Sequence, residues 1–253
     1  MRKRFSALPA IVLAVALCLA PGMASAADLT VSAAASLTDA FKALKVAFEK
    51  ANPGTTITTN FAASGALLRQ LENGAPVDVF ASADQKTMNQ AAEKKLIVPA
   101  TRVDFVQNSI VLVQPADSKI NVKSMADLAK PDVKRVAIGN PATVPAGRYS
   151  TEGIALAHLT QALAPKLVPA ESVRQTLDYV TRGEVDAGFV FATDAKHAAA
   201  KVRFVQDVPT TTKVTYPIAV IASSKNPQAK AFIAFVVSPE GQKILGAYGF
   251  KKP

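Results

Sequence analysis

The sequence predicts an α/β protein of two lobes, each built on a doubly wound mixed sheet, with two hinge crossings between them. Three observations predict it. Short apolar runs rich in β-branched residues alternate with amphipathic helical stretches, the rhythm of βαβ units. Two further strand-like segments, residues 109–113 and 216–222, break that rhythm, and the pattern restarts between them. The chain also echoes itself. Gly74 is followed by Val77, Asp78, an apolar run and Asp84, and Gly183 by Val185, Asp186, an apolar run and Asp194. Two lobes of similar design, 27–112 with 216–253 and 113–215, account for all three. Two crossings form a hinge that can close on a ligand, and the cleft between such lobes lies beyond the carboxyl ends of the strands, where open α/β sheets bind.

The elements follow in order. Residues 29–33 read as a strand, and 38–50 as a helix with Phe41, Leu44 and Phe48 on one face. Asn52-Pro53-Gly54 stops that helix. Residues 55–61 form the next strand, 66–72 a helix ended by Asn73-Gly74, and 77–81 a third strand before a helix reaching Lys95. In the second half, 136–139 and 187–192 read as strands and 146–164 and 173–181 as helices, the first of them carrying His158 at its middle. Helices at 227–237 and 239–248 close the chain.

Residues 1–26 form a targeting leader. Arg2, Lys3 and Arg4 make a basic start, an apolar run follows, and Ala24-Ser25-Ala26 fits a cleavage site after Ala26. The run is short for a bilayer span, so an exported, periplasmic protein is expected. The one cysteine, Cys18, lies in the leader behind Leu17, where a lipid-anchored chain would carry a small residue. The rest of the chain therefore has no disulfide, thiolate ligand or thiol nucleophile. A net charge of +10, three of it in the leader, suits an anionic ligand through steering. Nucleic acid fits poorly: there is no Trp and no dense basic run with interleaved aromatics.

Four segments open helices with small, uncharged residues. They begin at Ala34-Ala35-Ser36-Leu37, Ala63-Ser64-Gly65-Ala66, Val144-Pro145-Ala146-Gly147 and Ala170-Glu171-Ser172-Val173. A helix start presents unpaired N–H donors and a partial positive charge, which suits an anion. If the four converge, they make a donor-only cage for a small oxyanion, without a metal ion or a cationic side chain. Each also has a plainer reading. Ser36 with Asp39 fits a capping pattern, Ser64 could cap its own helix, and Pro145 suits a first turn. His158 and His197 lack metal-ligand spacing, and Asp78 and Asp186 read as turn stabilisers. No nucleophile elbow and no phosphate-binding loop motif appears.

Taken together, 33–37, 63–65, 74–84, 144–149, 170–174, Tyr216-Pro217-Ile218-Ala219-Val220 and Tyr248-Gly249-Phe250 resemble the molybdate-binding proteins of ABC-type molybdate importers, over nearly the whole chain after the leader. The resemblance implies a type II periplasmic binding protein fold that closes on a tetrahedral dianion and docks, as a monomer, on a membrane permease. It implies ligand contacts from the N–H and hydroxyl groups of Ser36 and Ser64 and from the N–H groups of Ala146 and Val173. A family tyrosine that donates a fifth hydrogen bond falls at Phe191, which has no donor; Thr193 is the expected substitute. The ligand implied is molybdate or tungstate, with no cofactor and no free metal cation. A sulfate or other oxyanion carrier on the same fold, an exported hydrolase using Ser36 or Ser64, and a sensor domain are the alternatives.

Overall fold

The computed structural model describes residues 28–253; the leader, its cleavage point and Cys18 lie outside them. β1 (Asp28–Ala34) is buried over its last four residues, as a strand covered on both faces must be. A 3-10 turn at Ala35–Leu37 leads into α1 (Thr38–Ala51), whose Phe41, Leu44 and Phe48 are buried on one face. β2 (Thr56–Ala62), α2 (Ser64–Glu72), β3 (Val79–Ala81), α3 (Gln85–Glu93) and β4 (Val103–Gln107) follow. The chain then runs through β5 (Ile110–Pro115), β6 (Val136–Gly139), α4 (Pro145–Leu156), α5 (Thr160–Leu163), β7 (Leu167–Ala170), α6 (Val173–Thr181), β8 (Ala187–Phe191), α7 (Ala192–His197) and β9 (Val202–Val208). It returns through β10 (Thr215–Val220), α8 (Gln228–Val237) and α9 (Pro239–Ala247).

Two mixed five-stranded sheets result, in the orders β2-β1-β3-β10-β4 and β7-β6-β8-β5-β9. Each has three parallel strands, a fourth antiparallel to them and a fifth antiparallel to the fourth. The fourth strands, β10 and β5, are the first after each crossing. The repeated sequence pattern finds its physical basis here: β3 and β8, which carry it, hold the same third place in their sheets. Asp78 accepts the Thr30 N–H at 2.8 Å, and Asp186 accepts those of Lys134 and Arg135 at 2.7 and 2.9 Å, so both acids tie down the turn before their strand.

Several expectations shift. All six residues of β5 pair in the second sheet, so the first crossing lies between Gln107 and Ile110 rather than near Val113. The helix expected over 146–164 breaks at His158, which takes a left-handed φ of 57°. There the His158 N–H donates to the Ala155 carbonyl and the Leu159 N–H to Ile154, and Leu159 packs on the core, so the bend is a helix stop that His158 occupies in place of glycine. β4, β7 and β9 escaped the sequence reading. All three are edge strands, half exposed, and β7 contains Pro169, so their apolar signal is weak.

Candidate functional site

The four small-residue helix starts converge. Ala34, Ala35 and Ser36, then Ala63 and Ser64, then Val144, Pro145 and Ala146, and finally Val173 all line one small cavity, which Phe191 and Ala83 also line. Ser36, Ser64, Ala146, Val173 and Phe191 are thus brought together from both sheets, each of them buried. No charged side chain lines the cavity.

Local sequence explains how each group reaches it. β1 and β2 are parallel neighbours, so their carboxyl ends deliver Ser36 and Ser64 side by side. Neither serine acts as a cap. Ser36 sits inside its 3-10 turn and its Oγ lies 3.0 Å from the Tyr216 hydroxyl. Asp39, its expected capping partner, instead accepts from Arg174 Nη2 at 2.7 Å. Ser64 is the first residue of α2 rather than its cap, and its Oγ accepts the Ala83 N–H at 3.0 Å. In the second lobe, Pro145 fixes the start of α4 and Gly147 lets it seat. A Cβ at Gly147 would lie 1.8 Å from the Gly139 carbonyl oxygen. Ser172 caps α6 by accepting the Gln175 N–H at 3.1 Å, so Val173 stands at its first turn. The first-turn N–H groups of these helices have no carbonyl one turn earlier to accept them.

Cations stand one step behind the cavity, each tied to an acid. Arg148, in α4, reaches Asp84 at 2.6 Å, and Arg174, in α6, reaches Asp39 and Asp194 at 2.7 Å each. The first two of these pairs join the lobes, as does the Gly65 N–H donating to the Thr143 carbonyl at 3.0 Å. Asp194 is fully buried; burial raises its pKa to about 6 although the Arg174 guanidinium pulls the other way. His197 Nδ1 lies 3.3 Å from Asp39 Oδ2. Thr193 does not line the cavity. Its Oγ1 accepts from Asn108 Nδ2 at 2.9 Å, which turns it away from the role expected for it.

Sequence reasoning missed Tyr216, Asn108, Arg148 and Arg174 as neighbours of the site. Tyr216 and Ser36 are 180 residues apart, and nothing local joins them. Among the described residues no group of three or more His, Cys, Asp or Glu could hold a metal ion, and no helix is long and apolar enough to cross a membrane.

Comparison with known proteins gives a consistent result. The family model described as "Bacterial extracellular solute-binding protein" matches residues 29–251. The molybdate-binding protein ModA of Escherichia coli (strain K12) is 39% identical over 239 residues, covering 90% of each chain. The substrate-binding domain of a proposed molybdenum ABC transporter from Clostridium difficile is 40% identical, with a TM-score of 0.68 over 89% of this chain and 99% of that one. The periplasmic molybdate-binding protein of Azotobacter vinelandii aligns with a TM-score of 0.79 at 25% identity, over 89% and 99%.

Proposed function

We propose, from the premise that this chain belongs to the bacterial extracellular solute-binding protein family, that it captures molybdate between its lobes and hands it to an ABC importer. The observation that carries this reading is the cavity itself: helix starts from both sheets meet around one small space with no charged lining. A dianion there is held by N–H donors and helix dipoles. We assign the contacts to the N–H and hydroxyl groups of Ser36 and Ser64 and the N–H groups of Ala146 and Val173, with the Phe191 ring as an apolar wall.

Selectivity follows from the same arrangement. Molybdate and tungstate are fully ionised near neutral pH and bring only acceptors. An anion that keeps a proton needs an acceptor, and leaving it unpaired costs binding. Sulfate passes that test and must be refused by size. The interlobe contacts at Gly65, Arg148 and Arg174 fix how far the lobes approach. A smaller ion therefore cannot touch every donor at once, while tungstate, close to molybdate in size, is accepted.

The carrier reading is favoured over a hydrolase by the company the two serines keep. Ser36 faces a tyrosine hydroxyl and Ser64 a backbone N–H; neither partner is a general base at neutral pH. The protein is exported through its leader and works as a monomer against a membrane permease. Titration calorimetry on the exported protein tests this. Tight one-to-one binding of molybdate and tungstate with sulfate and phosphate far weaker is expected; preference for sulfate, or no binding of molybdate, overturns the assignment.

A further inference from the structure

The Ser36 hydroxyl is held in a hydrogen-bond chain whose direction can be read from its far end. At that end the Ser109 N–H donates to Asn108 Oδ1 at 2.9 Å. The opposite amide orientation would set an NH2 against an N–H, so Nδ2 faces the other way. There it lies 2.9 Å from Thr193 Oγ1 and 3.2 Å from the Tyr216 hydroxyl. An amide nitrogen only donates, so the Tyr216 oxygen accepts. A phenol has one proton, and the remaining neighbour of that oxygen is Ser36 Oγ at 3.0 Å. Ser36 Oγ therefore accepts, and its single proton is left for the cavity that Ser36 lines.

Nothing allows the chain to reverse. Tyr216 is fully buried, with its ring packed on those of Phe191 and Phe250 at 5.6 Å each. Burial also pushes the Tyr216 hydroxyl well above its ordinary range, so it keeps its proton. Asn108 is anchored at the first crossing, where its N–H donates to the Val214 carbonyl at 3.0 Å. Ser64 reaches the same state by another route, because its Oγ accepts the Ala83 N–H. For Ser64 the fixed donor is backbone; for Ser36 it is two side chains.

We propose that Asn108 and Tyr216 are positioning residues that hold the Ser36 hydroxyl as a donor toward the bound anion, so that the cavity refuses oxyanions that still carry a proton. This rests on the oxyanion-carrier reading of the cavity. A serine hydroxyl by itself can donate or accept. Left free, it would turn to accept the proton of hydrogen phosphate and admit that ion. With one of its two lone pairs taken by Tyr216, its proton is directed at the anion, and accepting from the ligand as well would turn that proton away.

The test is Tyr216→Phe in the full protein, titrated at mildly alkaline pH with molybdate, sulfate and hydrogen phosphate. Sulfate is the control, being fully ionised like molybdate. Molybdate should weaken by no more than about tenfold, the loss of one oriented hydrogen bond. The phosphate-to-molybdate affinity ratio should rise by about tenfold or more, with the sulfate-to-molybdate ratio unchanged. Asn108→Ala, at a half-exposed position, should move the phosphate ratio in the same direction by less, and serves if the first variant does not fold. General damage to the pocket would move both ratios together, and that outcome, or a phosphate ratio unchanged in both variants, overturns the proposal. A wild-type protein that does not prefer molybdate over phosphate overturns both this proposal and the carrier reading. Wild-type preference with unchanged variant ratios overturns the chain alone.

Discussion

The Ser64 hydroxyl lines the cavity and accepts the Ala83 N–H in a fully buried position, so on the proposed assignment one oxygen would serve both ligand and fold. Ser64→Ala is expected to weaken molybdate binding about tenfold and to cost about 1–3 kcal/mol of stability, since a buried N–H loses its acceptor. Ser36→Ala should weaken binding by a similar factor and cost a similar amount of stability, about 1–3 kcal/mol, because the buried Tyr216 hydroxyl loses the acceptor of its proton while Asn108 can only donate to it. Calorimetry with denaturant melts checks both; a Ser36→Ala variant as stable as the wild type would contradict the assignment. Asp194 makes a different prediction. Its folded pKa of about 6 lies above the 3.8 of an ordinary aspartate, so the folded protein holds a proton that the unfolded chain releases. Stability from this group is full below about pH 4 and is lost as pH rises through about 6, by an amount on the order of 3 kcal/mol. Asp194→Asn should flatten the pH dependence of the unfolding free energy across that window. An unchanged slope would show that another group titrates there.

At the scale of elements, the site depends on how closely helix starts approach one another. Gly65, the second residue of α2, donates its N–H to Thr143 on the opposite side of the cleft. A Cβ at this position would stand 2.7 Å from the Thr143 oxygen and 2.9 Å from its Cα, both of them backbone atoms that cannot swing aside. Gly65→Ala should therefore oppose closure of the lobes and weaken molybdate binding by about tenfold or more, the effect of an overpacking strain of roughly 1–3 kcal/mol. The melting temperature without ligand should stay near the wild-type value, because the clash arises between lobes rather than within one. A lowered unliganded melting temperature would place the damage inside the first lobe instead. The serine and glycine of α2 were legible in the sequence as a helix opening. Their division of labour was not, since Thr143 lies 78 positions along the chain.

At the scale of the whole molecule, closure is held by charges that never touch the cavity. Arg148 reaches across to Asp84, whose side chain is only 5% exposed, and Arg174 bonds Asp39 from α6 to α1. Hydrogen bonds to charged groups contribute about 1.5–3 kcal/mol each. Arg148→Ala should shift the lobes toward the open arrangement, seen as a larger radius of gyration in small-angle scattering with molybdate present, and weaken binding about tenfold. An unchanged radius and affinity would show that the pair does not contribute to closure. The same pairs keep both arginines tied to acids behind a cavity whose lining is uncharged.

The sequence by itself determined the local parts. Apolar periodicity marked most strands and helices, glycine and proline marked their ends, and small residues marked the helix starts that line the cavity. These features arise from neighbours a few positions apart, so a linear reading can find them. Tertiary structure alone decided the rest: that Ser36 meets Tyr216 and Ser64 meets Ala83 rather than capping their helices, that Asp39 serves Arg174, and that Thr193 turns to Asn108. A serine or an aspartate has one preferred partner within its own turn and many beyond it. Which partner wins depends on what the packing of two sheets places within 3 Å, and that distance is set only when the whole chain has folded.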